Sequence, residues 1–188
     1  MWTLVIGTII FVLPGTWALP RARAELIRNG RISTLTLLAV FVAHIGHAGV
    51  TIVAAIQQAW PMPVPASVSF NLGFATLLVG VTFVVSARLS FRSIRLTWGL
   101  TTERLVTSGT YGISRNPQIL GAFLIYVGIA ILGRSIAAFL LAAVFLLASL
   151  VWIPIEERIL EARFGEPYRQ YRQRVPRFVG VRRSGRVA

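Results

Sequence analysis

The sequence contains no cysteine, no lysine and no aspartate. Without cysteine there is no disulfide framework, no thiolate nucleophile and no cysteine-ligated metal. Every basic residue is Arg and every acidic one Glu, 19 against 6, and charged residues are only 13% of the chain. That is about half of the roughly 25% typical of soluble domains. A chain of 188 residues with 55% hydrophobic content and a mean hydropathy of +0.72 has too little polar surface to stay in water. A disordered tail and a free-standing nucleic-acid-binding domain are therefore disfavoured in spite of the net charge of +13. A GC-rich codon bias accounts for the missing lysine as well as any chemistry would, so nothing is built on it.

What is present is a series of apolar runs. A bilayer core of about 30 Å takes about 20 residues of helix, and five runs qualify or come close: Trp2 to Leu19, Ile32 to Ile56, Ser67 to Ala87, Ile119 to Leu132 and Ser135 to Ile155. The fold class expected is an all-α integral membrane protein of about five transmembrane helices with a C-terminal helical cap. The fourth run is short and reads as one arm of a tight hairpin with the fifth, turning at Gly133-Arg134. The first has no positive charge before its apolar core, so it reads as a retained anchor rather than a secretory signal. Arginines number four between runs one and two, none from Gln57 to Ala66, five from Arg88 to Arg115, one at Arg134 and nine from Arg158 onward. By the positive-inside rule this alternation puts the N-terminus outside and the C-terminus in the cytoplasm. The cytoplasmic arginines would also meet anionic headgroups. The Pro-rich stretch after Trp60 reads as a stiff external connector.

Two Arg-rich segments are more elaborate than connectors need to be. In the first, Leu100 to Gly121, Gly109 and Gly112 permit close backbone approach, Pro117 suits the first turn of a helix, and Asn116 sits where an N-cap belongs. The second opens on Glu156-Glu157 directly after an apolar run. Carboxylates beside hydrocarbon are costly without a partner, so cationic company is expected; a solvated helix start is the plainer reading. Gly165 should end that helix. Glu166-Pro167 then starts another, with Tyr168, Tyr171 and Val175 as an apolar stripe opposite Arg169, Arg172 and Arg174. Such a helix lies on a membrane surface or covers a site. His44 and His47 share a face of the second run, but no Cys, Asp or third His is available to complete a metal site, so they read as packing or as a polar cavity.

Taken together, Leu105 to Tyr111, Ser114-Arg115-Asn116-Pro117-Gln118-Ile119-Leu120-Gly121, Glu156-Glu157, Phe164-Gly165, Tyr168, Tyr171 and Val175-Pro176-Arg177-Phe178 resemble the isoprenylcysteine carboxyl methyltransferase and phospholipid methyltransferase family. The resemblance covers roughly Thr101 to Phe178; the first three spans carry no comparable signature. It implies an integral membrane enzyme that takes S-adenosylmethionine and a lipidic or otherwise apolar substrate, either a carboxylate or a phospholipid amine. With the apolar runs, it divides the chain into N-terminal membrane helices of three spans over 1–99, a methyltransferase-like core over 100–178 and a basic tail over 179–188. Carried over residue by residue, Tyr111, Arg115, Asn116, Pro117 and Gly121 would form one wall of a cofactor site, Glu156 and Glu157 another, and Tyr168 and Arg177 a lid, with Gly109 a further cofactor-binding candidate. Arg115, Glu156, Glu157 and Arg177 are the candidates for the chemistry. The sequence departs from the family pattern at Asn116, where His is usual, and at Ile119, where Tyr is usual. Two other classes stand beside this one: a membrane reductase using a nicotinamide cofactor, and a non-catalytic module whose Arg-rich face binds lipid or protein. Neither oligomeric state nor substrate identity is legible.

Overall fold

The computed structural model describes residues 2–29, 32–91 and 104–180. The start of the first Arg-rich segment, Leu100 to Glu103, and all of the basic tail beyond Gly180 lie outside the described residues. Among the described residues the regular structure is helical: α1 (Trp2–Asn29), α2 (Thr34–Ile56), α3 (Ala66–Phe91), a 3₁₀ turn (Gly109–Gly112), α4 (Pro117–Leu132), α5 (Ile136–Phe164) and α6 (Glu166–Arg174). Sequences this rich in Val, Ile, Phe and Thr favour strands in water. In hydrocarbon the backbone must satisfy itself, and the helix does so within one segment.

The bundle is packed inside out relative to a soluble protein. Its buried positions are mostly small, including Ala18, Ala43, Ala54, Ala130, Ala138 and Ala142, while Ile45, Ile56, Phe70, Leu89, Leu147 and Val151 are exposed on its flanks. Large apolar side chains turned outward and small residues turned inward are the packing rule of membrane helices. Helices α1, α2, α3 and α5 are long and apolar enough to cross a bilayer. The protein is a multi-pass integral membrane protein. Helix α4 has 16 residues, about 24 Å at the helical rise.

Helix α4 follows a tight turn into α5, but its main partner is α3. The reason is glycine. A Cβ on Gly80 would lie 2.7 Å from the carbonyl oxygen of Gly121, and one on Gly128 would lie 2.7 Å from the amide nitrogen of Leu77. Gly73 and Gly80 thus let the α4 backbone settle directly on α3. At the Arg-poor end the two connectors are tied together: Met62 donates its amide to Arg134 O (2.7 Å), Ile136 donates to Trp60 O (2.9 Å), and Ser135 Oγ donates to Ala59 O (2.7 Å). His47 is fully buried and packs on Phe11, 4.5 Å between ring centroids, and on Tyr126, 5.2 Å. No cluster of three metal-ligating side chains exists among the described residues.

Candidate active site

Helix α5 continues two turns past its apolar stretch, and this extension carries the acidic pair. Glu157 is buried, and both of its oxygens are engaged. Arg177 grips it with two hydrogen bonds, Nη2 to Oε2 at 2.7 Å and Nε to Oε1 at 3.2 Å. Arg115 Nη1 stands 2.9 Å from Oε1, with both side chains about one-tenth exposed (11% and 10%). That last contact is an ion pair rather than an aligned hydrogen bond, and Arg115 keeps Nε and Nη1 buried without an acceptor among the described residues. The cationic company expected for the acidic pair is therefore found at Glu157. Glu156, one residue earlier, lies near Tyr111 and adds to the elevation of its phenol pKa, after burial.

Arg115 and Arg177 are far apart in sequence and are brought together by main-chain contacts between two short segments. Arg115 N donates to Pro176 O (2.9 Å), Ser114 Oγ donates to Arg177 O (3.3 Å), and Asn116 Nδ2 donates to the same carbonyl (3.0 Å). Asn116 occupies the N-cap position of α4, but its side chain makes no capping bond; the expectation of an ordinary cap is corrected here, because the side chain is turned to place Nδ2 on Arg177 O rather than Oδ1 on the first-turn amides. Pro117 is fully buried at the first helical turn.

Helix α6 folds back at Gly165, whose φ of +59° suits a residue without Cβ. The apolar stripe Tyr168, Tyr171 and Val175 packs on Leu105, Leu160 and Phe164, so the helix covers protein with that face. Tyr171 OH donates to Tyr111 O (2.8 Å), and Gln118 Nε2 donates to Tyr111 OH (3.1 Å). Burial, and then the Glu157 charge, push the Tyr168 phenol up to about 12, while Arg115 opposes the rise. Tyr168 is thus a neutral hydroxyl beside the Arg115–Glu157–Arg177 cluster.

Tyr111, Arg115, Asn116, Pro117, Glu156, Glu157, Tyr168 and Arg177 lie in one connected neighbourhood at the Arg-rich end. Gly109 borders it, packed on Ser90 of α3, with a φ of +62°. Gly121 is elsewhere: it faces Gly80 and Val84 in the α3–α4 contact. Ser114 and Gln118 escaped the sequence reading as site residues. Ser114 has a local signal, since a Ser hydroxyl can accept the backbone amide two residues on, as it does here from Asn116 N at 3.1 Å.

A family model described as phospholipid methyltransferase matches residues 68–167. The chain belongs to that family. A stretch of 111 residues is 32% identical to "Protein-S-isoprenylcysteine O-methyltransferase B" of Arabidopsis thaliana, covering 56% of this chain and 56% of that protein. The chain thus matches little more than half the length of that curated relative. No solved structure matches it. This phospholipid methyltransferase family member carries its matched stretch from α3 through α5. The match begins at α3, well before the first legible motif, so the view that the first three spans carry no family signature is corrected for the third. The match ends at Pro167, leaving Tyr168 and Arg177 beyond it.

Proposed function

We propose that this protein transfers a methyl group from S-adenosylmethionine to the polar head of a lipidic or otherwise apolar substrate at the Arg-rich end of the bundle, which the positive-inside rule makes cytoplasmic. The observation that carries this reading is Glu157 held between Arg115 and Arg177 beside Glu156, at the end of an apolar bundle. On this reading the core spans 100–178 with α3 as its support, after N-terminal membrane helices over 1–99 and before a basic tail over 179–188.

The residues present suit the cofactor. The buried Arg115 Nε–H, without an acceptor among the described residues, fits a carboxylate, and Glu156 beside the Arg115–Glu157–Arg177 cluster fits an ammonium or ribose hydroxyls. Tyr168 and Arg177 would cover that site. When bound, S-adenosylmethionine supplies an electrophilic methyl group on a cationic sulfur. The chain's own work is to hold, orient and keep water out. Transfer to a carboxylate joins opposite charges into neutral products, which a water-poor pocket favours; no base is then required. Transfer to an amine requires the nitrogen to lose a proton first. Glu156 is the acceptor on that branch, because both oxygens of Glu157 are committed to guanidinium groups.

Isothermal titration of the detergent-solubilised chain with S-adenosylhomocysteine tests the reading. Saturable binding is expected, and well-folded protein that does not bind would overturn it. Mass spectrometry of lipid extracts incubated with the protein and methyl-labelled cofactor then distinguishes the carboxylate branch from the amine branch.

A further inference from the structure

The segment Val175 to Phe178 crosses the site as a strap, and its attachment is asymmetric. On one side Arg177 reaches Glu157 with its guanidinium. On the other, the strap is fastened to the entrance of α4 through its carbonyls: Pro176 O receives Arg115 N, and Arg177 O receives both Ser114 Oγ and Asn116 Nδ2. Of these donors, the amide of Asn116 gives the shortest side-chain bond, and it is directed at the main chain of the residue whose side chain clasps Glu157. Asn116 is itself buried, and its backbone amide is satisfied by Ser114 Oγ. One N–H of its side-chain amide is therefore spent on the strap.

We propose that Asn116 is a positioning residue: its side-chain amide fixes the Arg177 carbonyl and thereby sets the Arg177 guanidinium on Glu157, closing the site on its C-terminal side. The role needs an N–H donor of short reach at this position and no titration. An amide supplies that donor at any pH. An imidazole of similar reach supplies it only when its N–H faces the strap. The strap thus lies over the site through a neutral pin on one side and a charged clasp on the other. Loss of the pin frees Arg177 without altering any charge in the cluster.

This inference rests on the methyl-transfer reading only for its consequence in catalysis; the pin itself is tested without cofactor. In detergent micelles, limited trypsin digestion is followed by mass spectrometry for cleavage after Arg177. Asn116→Leu, similar in volume, uncharged and lacking the donor, should be cut there at least fivefold faster than the unaltered chain, with cleavage after Arg158 unchanged. Asn116→His should restore slow cleavage. S-adenosylhomocysteine affinity is then measured by titration for Asn116→Ala, Arg177→Ala and the double variant. About tenfold weakening by Asn116→Ala in the parent background, and less than twofold in the Arg177→Ala background, is expected, since a positioning residue has nothing to position once Arg177 is gone. Unchanged cleavage after Arg177, or equal weakening in both backgrounds, overturns the proposal and makes Asn116 a direct contact or a bystander. Rapid cleavage in a protein whose parent form binds no S-adenosylhomocysteine supports the pin and overturns the methyl-transfer reading instead.

Discussion

Glu156 and Glu157 are adjacent in the chain yet stand in different company, and substitution should separate them. Gln at 157 leaves the buried Arg115 guanidinium without its counter-charge, and removal of one partner from a buried pair costs about 3 kcal/mol or more. Arg177, with a side chain 40% exposed, recovers water and adds little. Glu157→Gln should therefore lower stability to denaturant in micelles by ~3 kcal/mol and abolish S-adenosylhomocysteine binding. Glu156→Gln should keep near-parental stability and lose methyl transfer on the amine branch. Equal destabilisation by both would contradict the division of labour. The exposed pairs of Arg169 and Arg172 with Glu161 are worth little by comparison, and Glu161→Gln should shift stability by less than about 1 kcal/mol. Much of this cluster was legible as residues. The rarity of acid made the Glu pair conspicuous, and cost near hydrocarbon implied cations. Which Glu would take the arginines was not legible, because adjacent helical residues point about 100° apart and nothing in the sequence states which faces the strap.

At the scale of elements, the α3–α4 pair depends on contact between backbones. A Cβ at Gly121 would meet Gly80 O at 2.7 Å and Val84 Cγ2 at 2.8 Å, so Gly121→Val forces the helices apart. The expected cost is about 1–3 kcal/mol by overpacking, read from thermal unfolding in micelles. Gly15, where nothing lies within 4 Å of an added Cβ, is the control and should tolerate Ala. The C-terminal helix makes a different prediction. Tyr168 has its phenol raised to about 12, against about 10 in an unfolded chain, and burial raises Tyr171 as well. Between those values the folded chain holds protons that the unfolded chain has released, so this stabilisation is complete below about pH 10 and is lost as pH rises towards about 12. Alkaline titration monitored by tyrosine absorbance should show release of α6 in that window, and Tyr168→Phe should reduce the loss. The helices themselves were legible from apolar run length and Arg spacing. The dominance of α3 over α5 as partner of α4 was not, since glycines spaced seven apart declare a close contact only once the facing glycines are known.

The whole molecule inherits an experimental convenience from its composition: with no cysteine anywhere, any single introduced thiol reports without background. Pro63→Cys on the Arg-poor connector should react with a membrane-impermeant maleimide on intact cells, and Gln173→Cys on α6 only after permeabilisation. The opposite pattern would reverse the proposed orientation. A second consequence of the architecture concerns how the proposed lipidic or apolar substrate would get in. The hydrogen bonds that tie the Arg134 turn to the Trp60 connector clamp the bundle at one end, and α3 stays on α4 as far as Gly80 and Gly121, whereas at the Arg-rich end α5 is joined to the start of α4 by side chains and the strap. A pair of tongs joined at the top widens at its tips. Any parting of these helices that admits a lipid from the side should be greatest where Glu157 sits and smallest at the fastened turns, so the bundle's own hinge would deliver the lipid's head to the charged cluster first.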